Sequence, residues 1–211
     1  MRLPRSLRVL GVLFAALLLA PAALAEAPAG WFPAGTRPND YVFGVDEQNS
    51  ARTRDRILTG RQESYGPLLA LAERSAFIKS TPRATPAGFA TLMQSISAEA
   101  WRGKRVRLSA MVRTRGAQRA QLWMRVDGQN RQVLAFDSMS ARPITGSRGW
   151  RSYSIVLDVP RSATSISYGF MLAGQGTVWA DNFRIRAVEA TTPLTAPPRL
   201  PAAPRNPGFE R

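Results

Sequence analysis

KRVRLSAMVRT (Lys104–Thr114), RAQLWMRVD (Arg119–Asp127) and WRSYSIVLDV (Trp150–Val159) each alternate apolar and polar residues. Ser165–Ala173 and Thr177–Arg186 continue the pattern, with turn residues between the runs. Period-two alternation bounded by Gly, Asp, Asn and Pro marks half-buried strands. Further out, Tyr41–Val45, Ser75–Ser80, Gly88–Ile96 and Arg131–Phe136 add shorter runs of the same kind. Eight or nine short strands without a long helical pattern predict an all-β, antiparallel sandwich of jelly-roll type.

Two stretches break the pattern. Ser50–Arg74 opens Arg-rich (ARTRDRILTGR) and then carries Leu68, Leu69 and Leu71. It reads as a long loop with one helical turn, or as a short helix. Prolines at 193, 197, 198, 201, 204 and 207 forbid regular structure in 189–211, which reads as an extended tail or linker. The domain is therefore expected over 26–188.

The N-terminus bears on compartment. Arg2, Arg5 and Arg8 precede the apolar stretch Val9–Ala20, and Ala23-Leu24-Ala25 is a small-x-small cleavage pattern. This reads as a secretory signal peptide over 1–25, too short to span a bilayer comfortably. Its removal leaves a periplasmic or extracellular chain with no further apolar stretch of spanning length.

Composition closes several functions. The 211 residues include no cysteine and no histidine, so disulfides, Ser-His-Asp chemistry and His- or Cys-based zinc sites are excluded. Lys+Arg number 29 against 14 Asp+Glu; without the three arginines of the signal peptide the balance is 26 against 14, or +12. Lys79 and Lys104 are the only lysines. Arginine binds carboxylate, phosphate and sulfate in bidentate fashion, which suits an anionic neighbour. The arginines are scattered along the sequence, which favours a compositional bias spread over solvated faces. Nucleic acid is not expected as a partner, because no recognition motif accompanies the charge.

Strand parity assigns sides. Val106, Leu108, Ala110 and Val112 share one face of Lys104–Thr114, and Arg105, Arg107, Ser109, Met111 and Arg113 the other. Leu122, Met124 and Val126 are core candidates in the next run, as are Tyr153, Ile155, Leu157 and Val159 further on. Opposite them, Gln121, Trp123, Arg125 and Asp127 combine a flat apolar plate with planar hydrogen-bonding groups. That chemistry binds sugars: C–H faces stack on an aromatic while bidentate polar groups fix hydroxyls. Arg107 would support this face if the two strands are neighbours. Alternatively, Trp123 packs beneath Ser50–Arg74 or the Trp31-Phe32 segment and binds nothing.

The segments GFATLMQ (88–94), GKRVRLSAMVRT (103–114), LWMRVDG (122–128), LAFDSMSARPITG (134–146), SYSIVLDVP (152–160) and GTVWADNFRIRAV (176–188) closely resemble a bacterial domain family. Its members occur alone or beside other modules, including those of transcription regulators, and the role of the domain is not established. The strand order and the closing Trp-x-Asp-Asn also resemble galactose-binding-like jelly rolls and the carbohydrate-binding modules grouped with them. The resemblance implies a structural calcium in which Asp181 takes part, with Asp40, Asp46 or Glu47 supplying further oxygens. This chain departs from the family in the longer Arg52–Glu73 and in Asn182, where aspartate is usual.

In FDSMSARPITG (136–146), Asp137 and Arg142 are placed to pair across a loop. They either line the rim of a ligand groove or simply hold the loop. Paired carboxylates are the only realistic route to hydrolysis; Asp127 and Asp137 are close in sequence, on or near adjacent strands, but nothing in the sequence orients a water between them. The sequence thus predicts a non-catalytic module for carbohydrate or an anionic envelope glycan, with Trp123, Gln121, Arg125, Arg107, Asp137 and Arg142 as candidate ligand residues. A structural or protein-interaction module of the envelope is the alternative.

Overall fold

The computed structural model describes residues 27–47 and 74–195. The expected signal peptide, most of the Ser50–Arg74 stretch and the end of the tail lie outside the described residues. Among the described residues are nine antiparallel strands: β1 Phe32–Gly35, β2 Tyr41–Asp46, β3 Ser75–Ser80, β4 Phe89–Ser97, β5 Arg105–Asp127, β6 Val133–Asp137, β7 Ile144–Asp158, β8 Ser165–Ala173 and β9 Thr177–Val188. No helix among the described residues is long and apolar enough to cross a membrane.

The hydrogen-bonded path runs β1-β4-β8-β5-β9-β3-β2, with β6 and β7 also on β5. Lys104–Thr114 and Arg119–Asp127, read above as two strands, are one strand of 23 residues. Its first half pairs with β9 on one side and the end of β7 on the other. Its second half pairs with β8 and β6. The path therefore folds into two layers, β2-β3-β9-β5-β7 and β1-β4-β8-β5-β6, which we call layer 1 and layer 2.

Even-numbered residues of β5 point inward in both halves, as the alternation requires. Val106, Leu108 and Val112 of layer 1 meet Leu122, Met124 and Val126 of layer 2 in one core. Ile78, Ile155 and Leu157 join from the first side, and Leu92, Phe170 and Leu172 from the second, all at most 1% exposed. Trp31 closes the core by packing edge-on against Tyr168 and tilted against Phe183, at 5.9 and 4.8 Å between ring centroids. With no disulfide available, this packing carries the fold.

Between the halves the register of β5 shifts repeatedly, from Val112 to Ala120, against β7. Gly116 has φ +57 there, a left-handed backbone that costs other residues about 1 kcal/mol or more. Gly176, at the β8–β9 turn, comes so close that an added Cβ would lie 2.5 Å from Ala117 Cα. Gln118 N donates to Gln175 O across the same junction (2.8 Å). Nearby, the buried Tyr41 hydroxyl donates to Gly88 O and accepts from Gly174 N, both at 3.0 Å.

Past Val188, where β9 ends, runs a segment outside the strands. Its first residues are bound along the outer edge of β7: Thr195 N donates to Val156 O (3.1 Å), and Val156 N donates to Thr195 Oγ1 (2.8 Å). Arg105 holds the same segment through the carbonyls of Ala190 and Thr192.

Gly176→Ala should lower the urea midpoint more than Gly116→Ala, because the first adds a backbone collision to the strain of positive φ while the second has open space around its Cβ. We expect about 1 kcal/mol for Gly116→Ala and about 3 kcal/mol for Gly176→Ala. A second expectation concerns alkali. Burial raises the phenol pKa of Tyr168, and burial is also the main cause for Tyr41, with the Gly174 N–H opposing it. Above the ordinary value of 10.0 the unfolded chain loses protons that the folded chain keeps, so stability should fall as pH rises past it. Urea midpoints across that range should fall less steeply in Tyr168→Phe.

Candidate ligand-binding face

Layer 2 presents its odd-numbered β5 residues outward. Register places Phe32, Met93, Gly169 and Trp123 in one row across β1, β4, β8 and β5. Ser95, Ser167, Arg125 and Phe136 form the next row, across β4, β8, β5 and β6. Gly169 leaves the middle of the first row bare, so the Trp123 indole can cross β8. Its Nε1–H donates to Thr91 Oγ1 on β4 (2.7 Å), and that hydroxyl donates to Phe170 O (2.8 Å).

The open plate expected at Trp123 is therefore not present. The residue is 7% exposed and its one polar group is satisfied internally. Gln121 is likewise buried, with Nε2 donating to Ser138 O (2.7 Å). Both residues lie on the predicted face, but as its floor and not as its contact surface. Arg107 does not join them at all. It sits in the first half of β5, opposite Val156 and Arg186, on the outer side of layer 1.

Asp137 and Arg142 do pair, Nη2 to Oδ2 at 2.6 Å. Asp137 Oδ1 also accepts from Met139 N (2.7 Å), which shapes the loop, and Arg142 Nη1 reaches Thr195 O (3.3 Å). Asp137 stands opposite Met124, on the core side of its strand. The pair thus fastens the 138–142 loop to the tail and takes no part in the outer face.

An open cleft of about 740 Å³ does exist on layer 2. Its walls are Phe32, Met93, Ser95, Ser167, Arg125 and Asp127, with the turn 128–131 and Thr164-Ser165 closing one end. Phe32 is 45% exposed, an apolar ring left in water at the cleft. Arg125 Nε donates to Asp127 Oδ2 (3.0 Å), leaving the rest of the guanidinium facing outward. The carboxylate is buried, and its Oδ1 has no hydrogen-bond partner. Buried polar atoms are rarely left so, and each one calls for an explanation. Asn130 and Arg131 in the closing turn both have positive φ, 52 and 58. Consecutive strained non-glycine residues concentrate at functional sites.

Of the predicted ligand residues, Arg125 alone borders this cleft. Phe32, Met93, Ser95, Ser167 and 128–131 escaped the sequence reading because they converge only through the non-sequential order β1-β4-β8-β5. Asp127 was noted, as a carboxylate on the right face.

The calcium expectation meets committed oxygens. Asp46 Oδ2 accepts from Trp179 Nε1 (2.9 Å), Glu47 pairs with Arg74 (2.9 Å), and Asp40 pairs with Arg37 (2.6 Å). Asp181 Oδ1 accepts from Asn182 N (2.6 Å) at a bulge where Asn182 has φ 54. No three acidic groups converge among the described residues, so the proposed ligand set does not fit the ion.

No family model matches the chain. It is 38% identical over 185 residues to an uncharacterised HTH-type transcriptional regulator, YbfP, of Bacillus subtilis (strain 168). The match takes in 86% of this chain and 56% of the regulator, so the chain spans about half the length of that relative. Among solved structures, the enzymatically active domain of tailspike protein 4 of bacteriophage CBA120 overlays 76% of this chain and 20% of its own, with TM-score 0.53 and 14% identity. That likeness is one of fold. A CBM22-1 xylan-binding domain from Paenibacillus barcinonensis Xyn10C overlays 79% of this chain and 91% of its own at TM-score 0.45 and 16% identity.

Arg142→Ala should strip the buried Asp137 carboxylate of its cation and release the tail together. We expect a loss of about 2 kcal/mol in urea unfolding. Faster hydrogen exchange at the Val156 amide would report the freed edge, and unchanged exchange there would refute the fastening role.

Proposed function

We propose that the layer 2 cleft binds a carbohydrate without acting on it. The observation that carries this reading is the exposed Phe32 ring sharing a cleft with the planar Arg125–Asp127 pair. A sugar offers both a C–H face for the ring and hydroxyls for the polar pair, and few other small ligands need both at once. The Arg125 guanidinium, which keeps part of its surface in water, is the group of the pair that a sugar hydroxyl reaches. Ser95, Ser167 and Asn130 add short hydroxyl and amide groups around it.

Catalysis is disfavoured by the same inventory. Glycoside hydrolysis ordinarily takes two carboxylates flanking the bond, whereas the described lining of the cleft contains Asp127 alone, already paired with Arg125.

A second reading draws on the regulator relative. A helix-turn-helix needs two α-helices, and the described residues contain strands and 3-10 turns only. The part this chain shares with that relative is thus proposed as the ligand-sensing half, with DNA binding located elsewhere in the longer protein. The basic, apolar N-terminus of this chain argues for use of the same module outside the cytoplasm.

The test is a glycan array on the purified protein, followed by calorimetry with the best ligand. Phe32→Ala and Arg125→Ala should each weaken binding roughly three- to tenfold, since aromatic stacking and one charged hydrogen bond are each worth about 1 kcal/mol. A folded protein that binds no sugar, or one whose binding ignores both substitutions, would sink the assignment.

A further inference from the structure

Folding gathers what the sequence scatters. Arg107, Arg113 and Arg115 of β5 and Arg184 and Arg186 of β9 all fall on the outward face of layer 1. Arg107 stands directly opposite Arg186, and Arg184 lies two residues along from it. All three are exposed, and none has an ion-pair or hydrogen-bond partner among the described residues. Like charges directly opposed across a sheet are destabilising, so this row works against the fold unless something neutralises it.

Among the described residues no carboxylate forms an ion pair with Arg107, Arg184 or Arg186. Asp158 is engaged by Arg105, at 2.7 and 3.0 Å. Asp46 is held by the Trp179 indole, whose ring lies beneath Arg113 and Arg115 at 5.1 and 5.5 Å. Residues 48–73 and 196–211 each contain more arginine than aspartate and glutamate. Arg107, Arg184 and Arg186 set three guanidinium forks side by side on two neighbouring strands, more than a single carboxylate pairs with in bidentate fashion.

We propose that the outer face of layer 1 docks a linear anionic polysaccharide, its carboxylates engaged by Arg107, Arg184 and Arg186, on the side of the sandwich opposite the cleft. Guanidinium forks match carboxylates in bidentate geometry. A single-stranded nucleic acid would need exposed aromatic rings to stack its bases. Trp179 is 5% exposed and capped by two guanidinium groups, so it offers no such platform. The proposal does not depend on sugar binding in the cleft.

Affinity for polygalacturonate, measured by calorimetry over a series of salt concentrations, tests it, with neutral dextran and duplex DNA alongside. We expect binding to polygalacturonate and none to dextran. R107Q/R184Q/R186Q should lose about tenfold or more in affinity and flatten the salt slope by about two to three. R83Q/R119Q/R161Q removes the same charge elsewhere and should stay within about twofold. The first triple variant should also melt at the same temperature as the wild type or higher, because it relieves a repulsion. Equal losses in both triple variants, no binding by the wild type, tighter binding to DNA than to polygalacturonate at equal salt, or a lower melting temperature in the first triple variant would each overturn the proposal.

Discussion

Everything in this sandwich hangs on one strand serving both layers. β5 is central in each: its first half lies between β9 and β7, its second between β8 and β6. A strand can change layers only by bending, and the bend falls between Val112 and Ala120, where pairing to β7 loses its register. Backbone there approaches backbone closely, and side chains are excluded on steric grounds at Gly176. The core forms because even-numbered residues keep pointing inward on both sides of the bend.

The bend also decides what can act together. Arg107 and Trp123 lie on one strand yet face opposite exteriors, so residues 16 apart in sequence cannot share a ligand. Each exterior is instead completed by strands remote in sequence, β1, β4 and β8 for the cleft and β9 for the arginine row. Polar residues on the faces divide by what they touch. Gln121, Thr91 and Asp137 are turned to internal hydrogen bonds, whereas Arg125 and Phe32 keep part of their surface in water.

The alternation in β5, β7, β8 and β9 made the strands and the inward residues legible, because burial on one face writes a period of two directly into the sequence. Val106, Leu108, Leu122, Met124, Ile155 and Leu157 are all core, as parity requires. The continuity of β5 was not legible, since Arg115-Gly116-Ala117 looks the same as a hairpin turn and as a bend. β1 was hidden for a related reason: four residues holding a proline and a glycine carry no period. Trp123 was placed on the correct face, but its burial depends on the missing side chain at Gly169 and on Thr91 two strands away. The arginine row was invisible because Arg107 and Arg186 are 79 positions apart until β5 and β9 pair.

The position of β5 has a consequence for the order in which the chain can take shape during synthesis. Neither half of β5 is flanked on both sides until β8 and β9 exist, and β3 waits for Ala180 to meet Ala76. Such long-range closures make folding slow in comparison with locally paired chains. A ribosome that has made residues through β7 holds a sequence whose central strand still has open edges in both layers. The nascent sandwich therefore stays uncommitted until β9 has been made, and that strand, not β1, completes it.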